Sequence, residues 1–285
     1  MYKLTLTNRH GDSLSFNELN GAYQIIDIDG LNPPSATINT SEAALMDGAR
    51  FNSSKMQMRQ LQIAFAINKD AESNRVAVFK VVKSKQWIRC DYSNGLREVY
   101  IEGYVSACAV DYFKEKQVCT VTILCPSPYW RAAQSIANEM SSVTGGFHFP
   151  FASTVEPELV MGWIDAMVNV EIDNGGDVET GMTFEIYAQS PATNVKIIDY
   201  LTGDYIGLDF EFEAGDLVTL CTVAGNKGAT LLRDGVTTNI FNAVTRGSKW
   251  LQLDFSGGVY TYETTSGGAT ALDIRILHDV LYEGV

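Results

Sequence analysis

Gln86-Trp-Ile-Arg-Cys-Asp-Tyr92, then Ser93-Asn94-Gly95, then Leu96-Arg-Glu-Val-Tyr-Ile-Glu-Gly-Tyr104 decides the fold class. Asn-Gly readily takes the two positive φ angles of a type I′ turn, and the flanking runs are rich in β-branched and aromatic residues. The stretch therefore predicts a hairpin of Gln86–Tyr92 against Leu96–Phe113. Working outward, Gln117–Cys125 continues as a further strand. Upstream, Leu61, Ile63, Phe65 and Ile67 alternate with other residues in Arg59–Ile67, and Tyr2, Leu4 and Leu6 do the same at the start. A period of two marks strands with one buried face. The segment Asp70–Lys85 is ambiguous, because Val76, Val78, Val81 and Val82 suit a strand. Val78, Phe79 and Val82 nevertheless share a helical face, and Asp70 or Ser73 could cap the start, so a helix is expected there.

Charge divides the chain. Residues 1–131 carry 15 Lys+Arg and 13 Asp+Glu, a balance of +2, whereas residues 132–285 carry 6 and 21, a balance of −15. The change falls just past Pro126-Ser-Pro128, where two residues without an amide N–H end a sheet ladder and stiffen the exit. Three regions follow: a first domain over 1–131, a connector over 132–165 containing Gly145-Gly146 and the aromatic run Phe147–Phe151, and a second domain over 166–285. In the last, Val168, Val170 and Ile172 alternate before Asn174-Gly-Gly176. Further strands are expected at Thr183–Gln189, Asn194–Tyr200, Ile206–Glu213, Leu217–Val223, Lys249–Phe255, Gly258–Thr264 and Ala271–Leu277. Turn signals at this spacing predict a β-sandwich.

Composition narrows the function classes. The chain is 46% hydrophobic and 19% charged with a net charge of −13, which suits folded domains and gives no basic excess for tracking phosphates. Sequence-specific nucleic-acid binding is not expected. No run approaches the ~20 apolar residues that span a bilayer, and the polar alternation of Met1–Thr7 is unlike a signal peptide, so a soluble protein made in the cytoplasm is expected. The cysteines Cys90, Cys108, Cys119, Cys125 and Cys221 are an odd set, read as buried free thiols.

An ordered series of motifs in the first half resembles the N-terminal domain of the distal tail protein (Dit) family of siphophages. It comprises Ile26-Asp-Ile-Asp-Gly-Leu31, Pro33-Pro34, Asp47-Gly-Ala-Arg-Phe51, Arg75 with Phe79, Tyr100-Ile-Glu-Gly-Tyr104 and Cys125-Pro-Ser-Pro-Tyr129. The second half resembles that family's galectin-like C-terminal domain through Val170-Glu-Ile-Asp-Asn-Gly-Gly-Asp177, Gly181, Leu201-Thr-Gly203, Trp250-Leu-Gln-Leu253 and Tyr282-Glu-Gly-Val285. It departs from it in Phe255-Ser-Gly-Gly-Val-Tyr260. The resemblance implies a mainly β protein: a split β-barrel-like domain with one helix and a belt arm, placed at Gly30–Ser54, followed by the galectin-like sandwich. It also implies a virion role at the tail tip or baseplate. The chain would form a ring, usually a hexamer, that joins the major tail tube protein to a hub or fibre protein. The tape measure and receptor-binding proteins would be further neighbours. The alternative is a protein that binds host cell-wall glycans through the sandwich.

Candidate chemistry reads as structural. Asp209, Glu211 and Glu213 alternate with Phe210 and Phe212, which suits a solvated strand face better than a glycosidase pair, whose carboxylates must flank a sugar. Cys119 and Cys125 share parity, but His10, His148 and His278 are far apart in the sequence, so core thiols are expected rather than zinc. Gly225-Asn-Lys-Gly-Ala-Thr230 lacks the order of a phosphate loop and reads as a turn. Trp163, Trp250, Tyr260 and Tyr262 could form a sugar platform, though core or interface aromatics suit them better. No catalytic, metal or cofactor residues, no cofactor and no enzymatic activity are expected.

Overall fold

The computed structural model describes residues 2–16, 21–42, 44, 47–114, 116–145, 162–166, 169–268 and 270–285. The chain forms two compact units. One comprises Met1–Ala133 with Leu281–Val285, and the other Gln134–Val280.

The first unit contains β1 (Lys3–Asn8), β2 (Ser13–Phe16), β3 (Tyr23–Asp29), β4 (Ala36–Glu42), β5 (Ala49–Met56), β6 (Arg59–Ile67), α1 (Ala71–Val81), β7 (Trp87–Ser93), β8 (Glu98–Val110), β9 (Gln117–Cys125) and β10 (Trp130–Ala132). Its main sheet runs β2-β1-β7-β8-β9-β6-β3, with β10 pairing both β8 and the strand Leu281–Tyr282. The end strands β2 and β3 approach each other through side chains: the Phe16 ring lies 5.9 Å from Tyr23 and 4.8 Å from Phe65. Alternation puts Leu4, Leu6, Leu61, Ile63, Phe65, Ile88, Val121 and Ile123 inside, and α1 adds Val78 and Val81 to the same core. Tyr2 shares their parity but lies exposed at the strand's mouth, stacked on Tyr92.

Two local expectations are corrected. Neither Asp70 nor Ser73 caps α1 through its side chain: Asp70 adopts a left-handed φ of 38°, and the helix has no side-chain cap bond. The Asn94-Gly95 hairpin has a four-residue loop, not a two-residue type I′ turn, because Ser93 pairs with Glu98. Asn94 Oδ1 accepts from the amides of Leu96 and Arg97, both at 2.9 Å, which holds the wider loop. Only Gly95 of the pair has positive φ.

The second unit contains β11 (Ile136–Glu139), β12 (Ser141–Gly145), β13 (Gly162–Ala166), β14 (Val170–Ile172), β15 (Thr180–Ala188), β16 (Ala192–Asp199), β17 (Tyr205–Phe212), β18 (Leu217–Cys221), β19 (Gly228–Arg233), β20 (Val236–Asn239), β21 (Gln252–Leu253), β22 (Gly258–Ser266) and β23 (Leu272–His278); the remaining strand of the chain is β24 (Leu281–Tyr282). One sheet runs β11-β23-β15-β18-β19-β20 with β21 beside β15, the other β14-β22-β16-β17, and β12 pairs with β13. Phe184, Ile186, Ile274 and Ile276 of the first sheet share one core with Ile197, Leu208 and Tyr260 of the second, which makes a β-sandwich.

The residue boundaries differ from the sequence reading at both ends of this unit. Ile136–Glu139 pairs with β23, so the stretch read as connector begins as a sheet strand. Leu281–Val285 leaves the sandwich and pairs in the first unit. The strand expected over Lys249–Phe255 shrinks to Gln252–Leu253, while β19 and β20 were not anticipated. Val168 and the run Phe147–Phe151 with His148 lie outside the described residues.

His278 in β23 is 2% exposed. Burial lowers its pKa below the ordinary histidine value, against the opposing pull of nearby Asp279 and Asp173. The folded state therefore resists a proton that the unfolded chain accepts, so its stabilising share is intact above about pH 6.5 and is lost as the pH falls through the lowered folded value. Denaturant titrations between pH 7 and 5 should show the sandwich losing stability at no more than about 1.4 kcal/mol per pH unit from this group. His278→Phe should flatten that dependence. An unchanged slope in the variant would assign the effect elsewhere.

Candidate functional site: an exposed arm and its root

β4 and β5 form a hairpin that, among the described residues, pairs with no other strand. Its register sorts the side chains. Ala36 faces Met56, Ile38 faces Ser54 and Thr40 faces Phe51 on one side; Thr37 faces Lys55, Asn39 faces Ser53 and Ser41 faces Arg50 on the other. The second side is polar and knitted by its own bonds: Asn39 Nδ2 donates to Ser53 Oγ at 3.0 Å and Gln57 Nε2 to Thr37 Oγ1 at 2.8 Å. The first side carries Ile38 at 63% exposure and Phe51 at 61%. The arm is thus amphipathic, with its apolar side in water. A lone two-stranded hairpin is marginal at best in water, and an exposed apolar side of this kind is the usual mark of an interaction surface.

The arm's root, by contrast, is tightly held. Gly30 adopts φ +99°, and a Cβ there would stand 2.4 Å from the Gln60 carbonyl oxygen, so only glycine fits. Arg59, 2% exposed, gathers four carbonyls with one guanidinium. Nε donates to Pro128 O at 2.8 Å, Nη1 to Asn32 O at 2.7 Å and to Gly30 O, and Nη2 to Glu283 O at 2.5 Å. Its plane also lies over Trp130 at 5.7 Å. Arginine suits this place because five N–H groups in a rigid fork can saturate several acceptors at once. Arg97 adds a second clamp, stacking on Tyr282 at 4.1 Å and donating to Gly284 O at 2.8 Å. On another part of the unit, Trp87, Tyr104, Tyr129, Glu102 and Arg131 line a hollow of about 210 Å³. This is the aromatic and arginine mix enriched at protein contacts.

The residues weighed for chemistry are dispersed or engaged. Asp209, Glu211 and Glu213 are all exposed, as expected of a solvated face, and Glu213 also pairs with Arg233 at 2.7 Å. Arg233 also clamps Asp216, which is 1% exposed, at 2.5 Å and holds its carboxyl below the ordinary range. Cys119 and Cys125 are both fully buried core thiols, and burial pushes Cys125 up to about 12. The segment 223–226 forms a turn closed by Asn226 N–H donating to Val223 O at 3.0 Å, and residues 228–230 already belong to β19. The aromatics do not converge on a platform. Tyr260 is buried and donates to Gln252 O, Tyr262 donates to Leu272 O, and Trp250 stacks on Phe241 at 5.7 Å. The side chain of Trp163 lies outside the described residues. Sequence reasoning missed Arg59 altogether. Its one trace was position, at the start of an alternating strand whose first inward residue is charged.

These features define a mainly β protein of two units with one exposed amphipathic arm. Residues 175–275, within the sandwich, match the family described as siphovirus-type tail component, C-terminal domain. Among solved structures, the chain is similar to the SPP1 Dit protein, described as a paradigm of hub adsorption apparatus in phages infecting Gram-positive hosts. The TM-score is 0.66 at 13% identity, covering 98% of each chain. It is also similar to a chain of the phage P2 baseplate in its activated conformation with Ca, with a TM-score of 0.54 at 12% identity over 100% of each chain. At such identity the likeness is one of fold. No curated protein sequence matches the chain.

Proposed function

We propose that this chain is a structural component of a siphophage tail tip, a hub that assembles with copies of itself into a ring. The observation that carries the reading is the arm: Ile38 and Phe51 present an apolar face that nothing described in the chain covers. A ring needs a heterologous contact, one patch meeting a different patch on the neighbour, and an arm reaching from one copy onto the next supplies it. The match of residues 175–275 to a tail-component domain and the fold likeness to a Dit hub support the same reading. On it, the first domain (1–131) builds the ring and the second (166–285) projects to peripheral partners. The neighbours would be the tail tube protein and a hub or fibre protein, with the tape measure and receptor-binding proteins beyond them. The role is one of assembly, without catalysis. Native mass spectrometry of the purified chain should give a discrete multiple, near six copies. A strict monomer at micromolar concentration and physiological salt would count against the ring.

A further inference from the structure

All five cysteines are free, and two of them meet in space. Cys108 lies on β8 and Cys119 on β9, with their Sγ atoms 3.7 Å apart. By simple alternation they should not meet, because Val99, Ile101 and Val105 are the inward residues of β8 and Cys108 has the opposite parity. The register shifts between Val105 and Ala107, leaving Ser106 unpaired, and this bulge turns Cys108 and Val110 inward onto the core. Val110 then pairs with Cys119 and Cys108 with Val121, so the two thiols are diagonal neighbours. Cys119 is fully buried, whereas Cys108 is only partly so.

We propose that Cys108 and Cys119 form a redox-active pair that closes into a disulfide when a small disulfide such as glutathione disulfide is the oxidant. Cys108 is the attacking sulfur: it is reachable from solvent, and the hydrogen bond from the Cys119 thiol stabilises its thiolate. The Cys108 thiolate displaces one glutathione thiolate and forms a mixed disulfide. Cys119 then loses its proton and attacks the Cys108 sulfur, displacing the second glutathione. The two protein thiols are oxidised, one glutathione disulfide is reduced to two glutathiones, and the two protons end on those leaving groups. Capping Cys108 removes the hydrogen bond and the charge that hold the Cys119 thiol protonated, so burial alone still opposes its ionisation for the second step. Closure draws the sulfurs from 3.7 Å to about 2.0 Å. Diagonal neighbours lie about 7–8 Å apart along the backbone, beyond the roughly 4.4–6.8 Å a disulfide ordinarily spans, so closure requires the backbone to shift at the Ser106 bulge and the bond formed is strained and readily reduced. It would tie β8 to β9 near the ends of both strands, close in sequence to Phe113, which is fully exposed at φ +67°.

The test uses the full chain incubated with glutathione disulfide, quenched, digested with trypsin and read by mass spectrometry without reductant. Cleavage after Arg97, Lys114, Lys116 and Arg131 puts Cys108 and Cys119 on separate peptides. The expected result is a cross-linked peptide two hydrogens lighter than its parts, persisting in Cys125→Ser, absent in Cys108→Ser and reversed by dithiothreitol. Cys119→Ser should instead accumulate a single glutathione on Cys108. Three outcomes overturn the proposal: no reaction at Cys108, a stable glutathione adduct on Cys108 in the unsubstituted chain, or a cross-link that disappears in Cys125→Ser.

Discussion

Replacing Ile38 and Phe51 together with aspartate is expected to leave each chain folded and to abolish the ring. Both side chains are more than three-fifths exposed in the isolated chain, at 63% and 61%, so the monomer loses little. In the proposed ring they are the apolar side of the arm, and covering both would contribute on the order of 3 kcal/mol per contact, roughly a hundred-fold in each pairwise dissociation constant. Bringing two carboxylates under that cover adds a desolvation penalty on top. The substitution Lys55→Ser, on the polar side of the same hairpin, serves as the control and should assemble normally. Size-exclusion chromatography with light scattering reads the result. If the double variant still runs at the mass of the ring, the arm's apolar face is not the contact.

The second large effect concerns Arg59. Arg59→Ala strips four carbonyls, those of Gly30, Asn32, Pro128 and Glu283, of a buried donor. Each buried acceptor left unpaired costs about 1–3 kcal/mol, softened where water enters the space vacated, so a loss of about 4 kcal/mol is expected from the first unit. Arg59→Lys keeps the charge but has one nitrogen where the fork had three, and should recover less than half of the loss. Hydrogen exchange is the informative readout, because the damage is local. Residues 30–34, the amides around Pro128 and residues 281–285 should lose protection together, while the sandwich core keeps its own. Exchange that rises only at β6, with those three segments unaffected, would show that Arg59 does not join them.

The two effects differ in how visible they were. The arm could be placed at Gly30–Ser54 from its turn residues and its resemblance, and its hairpin runs on to Met56. Its amphipathic character followed from register, which a bulge at Asn52 shifts, so counting by twos from Ile38 alone would not have paired Thr40 with Phe51. A bulge at Ile26 exposes that residue in β3, and the one at Ser106 turns Cys108 inward. Alternation is reliable only between bulges, and a bulge costs one residue that nothing in composition announces. The strand expected over Lys249–Phe255 failed differently. Aromatic and aliphatic residues there suited a strand, but Lys249 donates to Tyr205 O from an irregular segment, and only Gln252–Leu253 joins β15.

What the sequence by itself determined is local. Alternating apolar residues set which faces are buried in β1, β6, β9 and β15, the proline pair ended β9, and α1 followed from one apolar helical face. What only the tertiary structure decided is which distant backbone groups meet: the carbonyls of residues 30, 32, 128 and 283 around Arg59, and the return of Leu281–Val285 to the first unit. The reason is physical. A side-chain pattern records the faces that one strand must bury, whereas every residue carries the same carbonyl, so nothing in the order of side chains marks the four that a single guanidinium will gather.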